Sequence, residues 1–221
     1  MQIVRERSTK LCMAGALIAM AAVTAASAQM TARKPSHQEK RLQEVRQLSA
    51  EAVASRIEIA DDDLEIVATL TTANGFLPKR GGGLLDTLTS DNMLRAMVGK
   101  SDGRTSWQLY QTIRYSESDW RHFTSVNYET PGGPRHAGIT VIDTDVTCRY
   151  GLCTYQEIVG FNLDEELIES IVAQASGKPD AVWRFRFNAK SGFHWTDDMP
   201  VTEIAGALIA VKRYRAQKGF E

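Results

Sequence analysis

Cysteine and histidine are scarce in this 221-residue chain, with three cysteines (12, 148 and 153) and four histidines (37, 122, 136 and 194). No two histidines share a metal-pair spacing such as H-x-x-x-H, and there is no CxxC, so zinc and thioredoxin-type chemistry have no framework here. A phosphate-cradling P-loop, a dinucleotide fingerprint and a zinc-protease helix are likewise missing, and nothing in the sequence calls for a cofactor. Neither charge sign dominates: 26 Lys and Arg stand against 27 Asp and Glu, without a basic cluster. That balance argues against nucleic acid, whose binding needs a Lys/Arg face to displace counterions. Beyond residue 28 no apolar run approaches the roughly 20 residues of a membrane span.

What is present begins at the N-terminus. Arg5, Arg7 and Lys10 precede an apolar stretch from Leu11 to Ala26, closed by Ala26-Ser27-Ala28. A charged start, a short apolar run and a small-x-small site are the parts of a cleavable secretory signal peptide. Residues 1–28 are therefore expected to be removed, placing the protein in the periplasm or outside the cell. Cys12 opens the apolar run rather than closing it, so lipidation is not expected. The mature chain of 193 residues carries a net charge of about −3, and its length suits one domain with an ample core.

Export favours pairing of the two remaining cysteines, Cys148 and Cys153. Residues 139–148 and 153–159 read as strands around the turn Arg149-Tyr150-Gly151-Leu152. Directly paired positions in such a hairpin hold their Cβ atoms about 4.5–5.5 Å apart, close to the ~3.5–4.5 Å of a disulfide. A structural bridge is expected, since redox pairs come as C-x-x-C at a helix N-terminus.

Residues 29–35 read as a flexible lead, and 36–221 as a single α+β domain. Ser36-x-x-Glu39 forms a capping box before an amphipathic helix carrying Leu42, Val45, Leu48, Ala52 and Val53 on one face. The period then changes to two, giving strands near 64–70, 92–98, 105–115 and 120–128, the last with Trp120, His122, Thr124, Val126 and Tyr128 on one side. Gly81-Gly82-Gly83 marks a loop. Asn162-x-x-Glu165 is expected to cap a second helix ended by Gly177 and Pro179. Val182–Phe187 alternates as a strand, and a last helix starts at Pro200. Strands joined by short turns predict a mostly antiparallel sheet, meander- or sandwich-like, covered by about three helices.

Several residues have the types that chemistry needs. Gly99-Lys100-Ser101-Asp102-Gly103 matches the G-x-S-x-G of serine hydrolases, but that elbow must join a strand to a helix, and the segment after it alternates like a strand. Ser101 is thus read as a hairpin-turn residue. His194, Asp197 and Asp198 offer an imidazole and two carboxylates for a metal, in what reads as a surface turn. Asp61-Asp62-Asp63 lacks the alternating carboxylates and glycine of a calcium loop and reads as a solvated turn. If the cysteines pair, register sets Val146 opposite Tyr155, Thr144 opposite Glu157 and Ile142 opposite Val159. Glu157 then lies on an apolar face, where a buried carboxylate is a functional candidate, unless the face is half covered and Glu157 reaches water or an Arg. The expected function is a non-catalytic binding or envelope-interaction module. The alternative is an exported hydrolase using Ser101, or Glu157 with a histidine such as His122.

Overall fold

Alternating apolar residues make strands that pair with their sequence neighbours, and in the computed structural model these build two antiparallel sheets. The structure describes residue 43 and residues 47–72, 79–80 and 89–220. The first sheet runs β1 (Glu58–Ala60), β2 (Val67–Thr71), β4 (Thr89–Gly99), β5 (Thr105–Ser116), β9 (Leu152–Leu163) and β8 (Thr140–Arg149), in that spatial order. The short β3 (Lys79–Arg80) also pairs with β4. The second sheet is β11 (His194–Pro200), β10 (Val182–Ala189), β6 (Phe123–Tyr128) and β7 (Arg135–Gly138). Among the described residues three helices accompany them: α1 (Ala50–Ala54), α2 (Glu165–Gln174) and α3 (Val201–Gln217). The α+β class expected from the sequence is the one observed.

The core lies where the sheets face each other and under α3. Leu94, Leu109 and Phe161 stand in register across β4, β5 and β9, all fully buried. Phe161 reaches the second sheet, with its ring centroid 6.3 Å from Trp183 and 6.0 Å from Phe187. Strand β10 alternates as the sequence demands, Trp183, Phe185 and Phe187 inward and Arg184 and Arg186 outward. Helix α3 buries Ile204, Ala207, Leu208, Val211 and Tyr214, the face its 3.6-residue period selects.

Five local expectations are corrected. Asn162 belongs to β9, and Asp164 is the N-cap of α2. The segment His194–Pro200 is strand β11 rather than a surface turn, because Trp195, Asp197 and Met199 alternate inward. Strand β6 begins at Phe123, and its buried residues are Phe123 and Val126 rather than the 122/124/126 set. His122, at φ 55°, turns the chain just before the strand, and the register with β10 then skips Thr124. An inserted bulge residue lets neighbours of opposite parity face the same way. Asp61 is more than a solvated turn: it accepts from Tyr214 Oη at 3.0 Å and pairs with Lys100 Nζ at 2.6 Å and Lys218 Nζ at 2.9 Å. These partners hold its carboxyl well below the usual carboxylate range. The expected first helix does not run unbroken to Val53: residues 47–49 are non-helical, and Ser49 caps α1 as a separate helix. The start of the expected helix, the signal peptide, the lead and the Gly81–Gly83 loop lie outside the described residues.

Helices α1 and α3 pack against each other through Gly206. A Cβ there would sit 2.5 Å from Val53 Cβ and 2.9 Å from the Ala50 carbonyl oxygen. Gly206→Ala gains about 1 kcal/mol of helix propensity, but overpacking costs about 1–3 kcal/mol. Chemical denaturation is expected to show a net loss of up to about 2 kcal/mol. A stabilised variant would mean that α1 yields freely.

Candidate functional site

The disulfide hairpin carries a fully exposed strand and an exposed tip. Strands β8 and β9 pair from Thr140↔Gly160 to Arg149↔Leu152, leaving only Tyr150 and Gly151 in the loop. Both have positive φ, 53° and 78°, as a two-residue type I′ turn requires. Cys148 and Cys153 are directly opposite and disulfide-linked, with Cα atoms 4.0 Å apart. The expected pairs Val146↔Tyr155 and Thr144↔Glu157 are present. Val159, however, faces Val141 rather than Ile142, because a bulge interrupts the ladder between Val141 and Asp143.

All ten residues of β8 are exposed, and β8 is the edge strand of its sheet. Val141, Ile142 and Val146 present apolar surface along it. At the tip Tyr150 is completely exposed and Leu152 three-quarters so. An L-residue in the left-handed region costs roughly 1–2 kcal/mol, and for a bulky side chain that φ is a true outlier. Asn or Gly is the usual occupant. Tyr150 thus holds an unfavourable backbone conformation while its ring touches little of its own protein. Sequence reasoning placed the positive φ at Gly151 alone. The signal for Tyr150 was available, since facing cysteines leave room for a two-residue loop once Arg149 and Leu152 pair.

The other candidates are scattered. Ser101 is exposed in the turn between β4 and β5, where Gly103 takes φ 67°. A strand follows, so no helix N-terminus backs the serine. Glu157 and His122 lie toward the other end of β5, about ten strand residues or roughly 30 Å away. Those two do meet, through the backbone. His122 N–H donates to Glu157 Oε1 at 3.1 Å, Tyr115 Oη donates to the same oxygen at 2.6 Å, and Phe123 N–H donates to Oε2 at 3.1 Å. Glu157 is only 2% exposed and is held by the Tyr115 phenol and two backbone N–H groups, so the half-covered reading is replaced by a buried latch. Burial and the Glu157 carboxylate push the Tyr115 phenol well above its ordinary value. Tyr115 Oη in turn accepts from Arg121 N–H at 2.9 Å. The Arg121 guanidinium lies over the Tyr115 and Phe193 rings and pairs with Glu117 at 2.6 Å. Together these contacts pin the corner from β5 to β6.

On β11, alternation separates the three proposed metal ligands. Asp197 is buried, accepting from Trp195 Nε1 at 3.3 Å, while His194 and Asp198 belong to the opposite phase of the strand. Among the described residues no three His, Cys, Asp or Glu groups are placed to hold an ion. A cleft of about 400 Å³ lies over Ile171, Trp183 and Val201, with Glu129, Gln174 and Lys178 on its walls. Ser101, His122 and Glu157 are not among the residues lining it. No helix among the described residues is long and apolar enough to cross a membrane. No family model matches the chain, and no curated protein or solved structure matches it.

Proposed function

We propose that this protein is an exported, non-catalytic binding module of the periplasm or cell exterior that engages a partner protein through the β8–β9 hairpin. The observation that carries the reading is Tyr150, fully exposed at φ 53° on a tip clamped by a disulfide. Strained backbone and exposed aromatics cluster where a molecule meets its ligand. Tyrosine and arginine, here Tyr150 beside Arg149, are the side chains on which interface energy concentrates. The disulfide removes the loop's freedom before binding, which lowers the entropic cost of association. Export is supported by the N-terminal pattern and by the compartment in which disulfides persist.

Two measurements test the proposal. The mature protein is expected to begin at Gln29; intact mass or N-terminal sequencing showing Met1 retained defeats the export half. For the binding half, a photoreactive phenylalanine at position 150 is expected to give a discrete adduct in intact cells. One at exposed Ser191 gives none, and the adduct fades in the Cys148→Ser/Cys153→Ser variant. Equal adducts at both positions, or none at 150, sink it. The same double substitution should leave a folded protein with a melting temperature several degrees lower. The chain-entropy estimate for so short a loop is about 2 kcal/mol.

A further inference from the structure

We infer that the partner adds an extended segment to the free edge of β8, and that this segment alternates basic with apolar residues; the inference rests on the hairpin reading above. The register fixes which way each β8 side chain points. Asp143, Asp145 and Thr147 face Ile158, Gln156 and Thr154 on one side of the sheet. Thr144, Val146 and Cys148 face Glu157, Tyr155 and Cys153 on the other. Asp143 and Asp145 therefore form a two-step acidic row on one face, and Val146 projects 44% exposed from the other. Neither carboxylate has a cation among the described residues. Asp143 accepts only the N–H of Thr144 at 2.9 Å, and the Gln156 carbonyl oxygen beside Asp145 is already taken by Arg114 Nε at 2.6 Å.

An exposed edge of this length is a template for another strand, and charges decide which strand it accepts. A second copy is the first occupant to consider. Antiparallel self-pairing that keeps like faces together requires residues of the same parity to oppose each other. Centred on Thr144 it sets Asp143 against Asp145; one step either way sets Asp143 against Asp143 or Asp145 against Asp145. Like charges directly opposite are destabilising, so these registers disfavour a second copy; the registers centred on Val146 or Thr147, which set Asp143 or Asp145 against Arg149, shorten the ladder to seven or five residues of β8. The complementary occupant is a different chain with Lys or Arg at two alternate positions opposite the aspartates and β-branched or apolar residues at the intervening phase, over Thr144 and Val146. Cross-strand pairs of opposite charge then fix register and orientation.

The probe is a pair of synthetic peptides, Ac-TKVKVTKV-NH2 and Ac-TEVEVTEV-NH2, titrated into the mature protein at low salt and followed by amide NMR. The basic peptide is expected to bind at least tenfold more tightly, with the largest shifts along Asp143–Cys148. Asp143→Lys/Asp145→Lys is expected to invert the preference, and Asp143→Asn/Asp145→Asn to abolish it with the fold unchanged by circular dichroism. Equal affinity for the two peptides, shifts confined to other strands, or a dimer of the native protein that dissociates in the Asn variant overturns strand addition. A Tyr150→Gly protein that keeps the peptide preference supports the edge and the tip as separate contacts. No adduct at position 150 in cells, with the preference intact, removes the hairpin-tip reading and leaves the edge chemistry standing.

Discussion

Glu203→Gln is expected to make the protein more stable at pH 8.5 and to leave it almost unchanged at pH 4. Glu203 lies in the first turn of α3, 2% exposed, and its Oε1 accepts from the Thr72 hydroxyl at 2.5 Å. A carboxylate at a helix N-terminus gains about 0.3–1 kcal/mol from the helix dipole. Burial outweighs that gain and the Thr72 hydrogen bond, and with the charge of Asp91 pushes the group from its ordinary 4.5 up to about 8. The folded state therefore keeps a proton that the unfolded chain releases. Between pH 4.5 and 8 the unfolded state binds fewer protons, so stability falls as pH rises, and above 8 the loss is complete. At about 1.36 kcal/mol per unit the ceiling is roughly 5 kcal/mol, and a gain of 2 kcal/mol or more in the variant is expected at pH 8.5. Urea titrations of both proteins at pH 4.5, 6.5 and 8.5 measure it. Parallel pH profiles would show that Glu203 ionises like a solvated carboxylate.

Removing the latch at Glu157 has an effect of the same order. Glu157→Ala removes the acceptor of a buried tyrosine hydroxyl and of the N–H groups of His122 and Phe123. Each unsatisfied buried group costs about 1–3 kcal/mol, so a loss of about 3 kcal/mol or more is expected for the three. For a domain of this size that is a fall of roughly 10 °C or more in melting temperature. Glu157→Gln, which retains one acceptor oxygen, should lose about half as much. A loss under 1 kcal/mol for the alanine variant would show that water replaces the carboxylate and that the corner is looser than its geometry implies.

Much of this architecture was legible because period and burial agree. Trp183, Phe185 and Phe187 announce β10, and the facing cysteines set the register of β8 on β9 as far as Thr144. Legibility failed where one residue changed the phase. The bulge around Ile142 moved Val141 opposite Val159. His122 and Thr124 likewise broke the alternation of β6. Strand β11 was hidden because Asp197 and Asp198 look like turn residues, whereas Asp197 is buried with partners. Glu203 was within reach: it lies four residues before Ala207 on the buried face of α3, but an acid in the first helical turn reads as solvent-facing. Tyr150 escaped because turn chemistry favours Asn at that place, and only the paired cysteines expose the exception.

The seam between β5 and β9 has a consequence for how the chain reaches this state. Its partners are far apart in sequence, from 38 residues (Ser116 to Thr154) to 56 (Trp107 to Leu163). Loop closure must be paid before such contacts reward it, which slows folding. As the chain emerges from its N-terminus, β4 and β5 can zip into a hairpin at once, but β5 keeps a bare edge until residue 163 has appeared. Throughout that interval Trp107, Leu109 and Ile113 have no facing strand on one side, and the nascent chain is most prone to pair with a neighbour. Folding is completed from the late end of the sequence, and a truncation before β9 leaves the first sheet open along its centre.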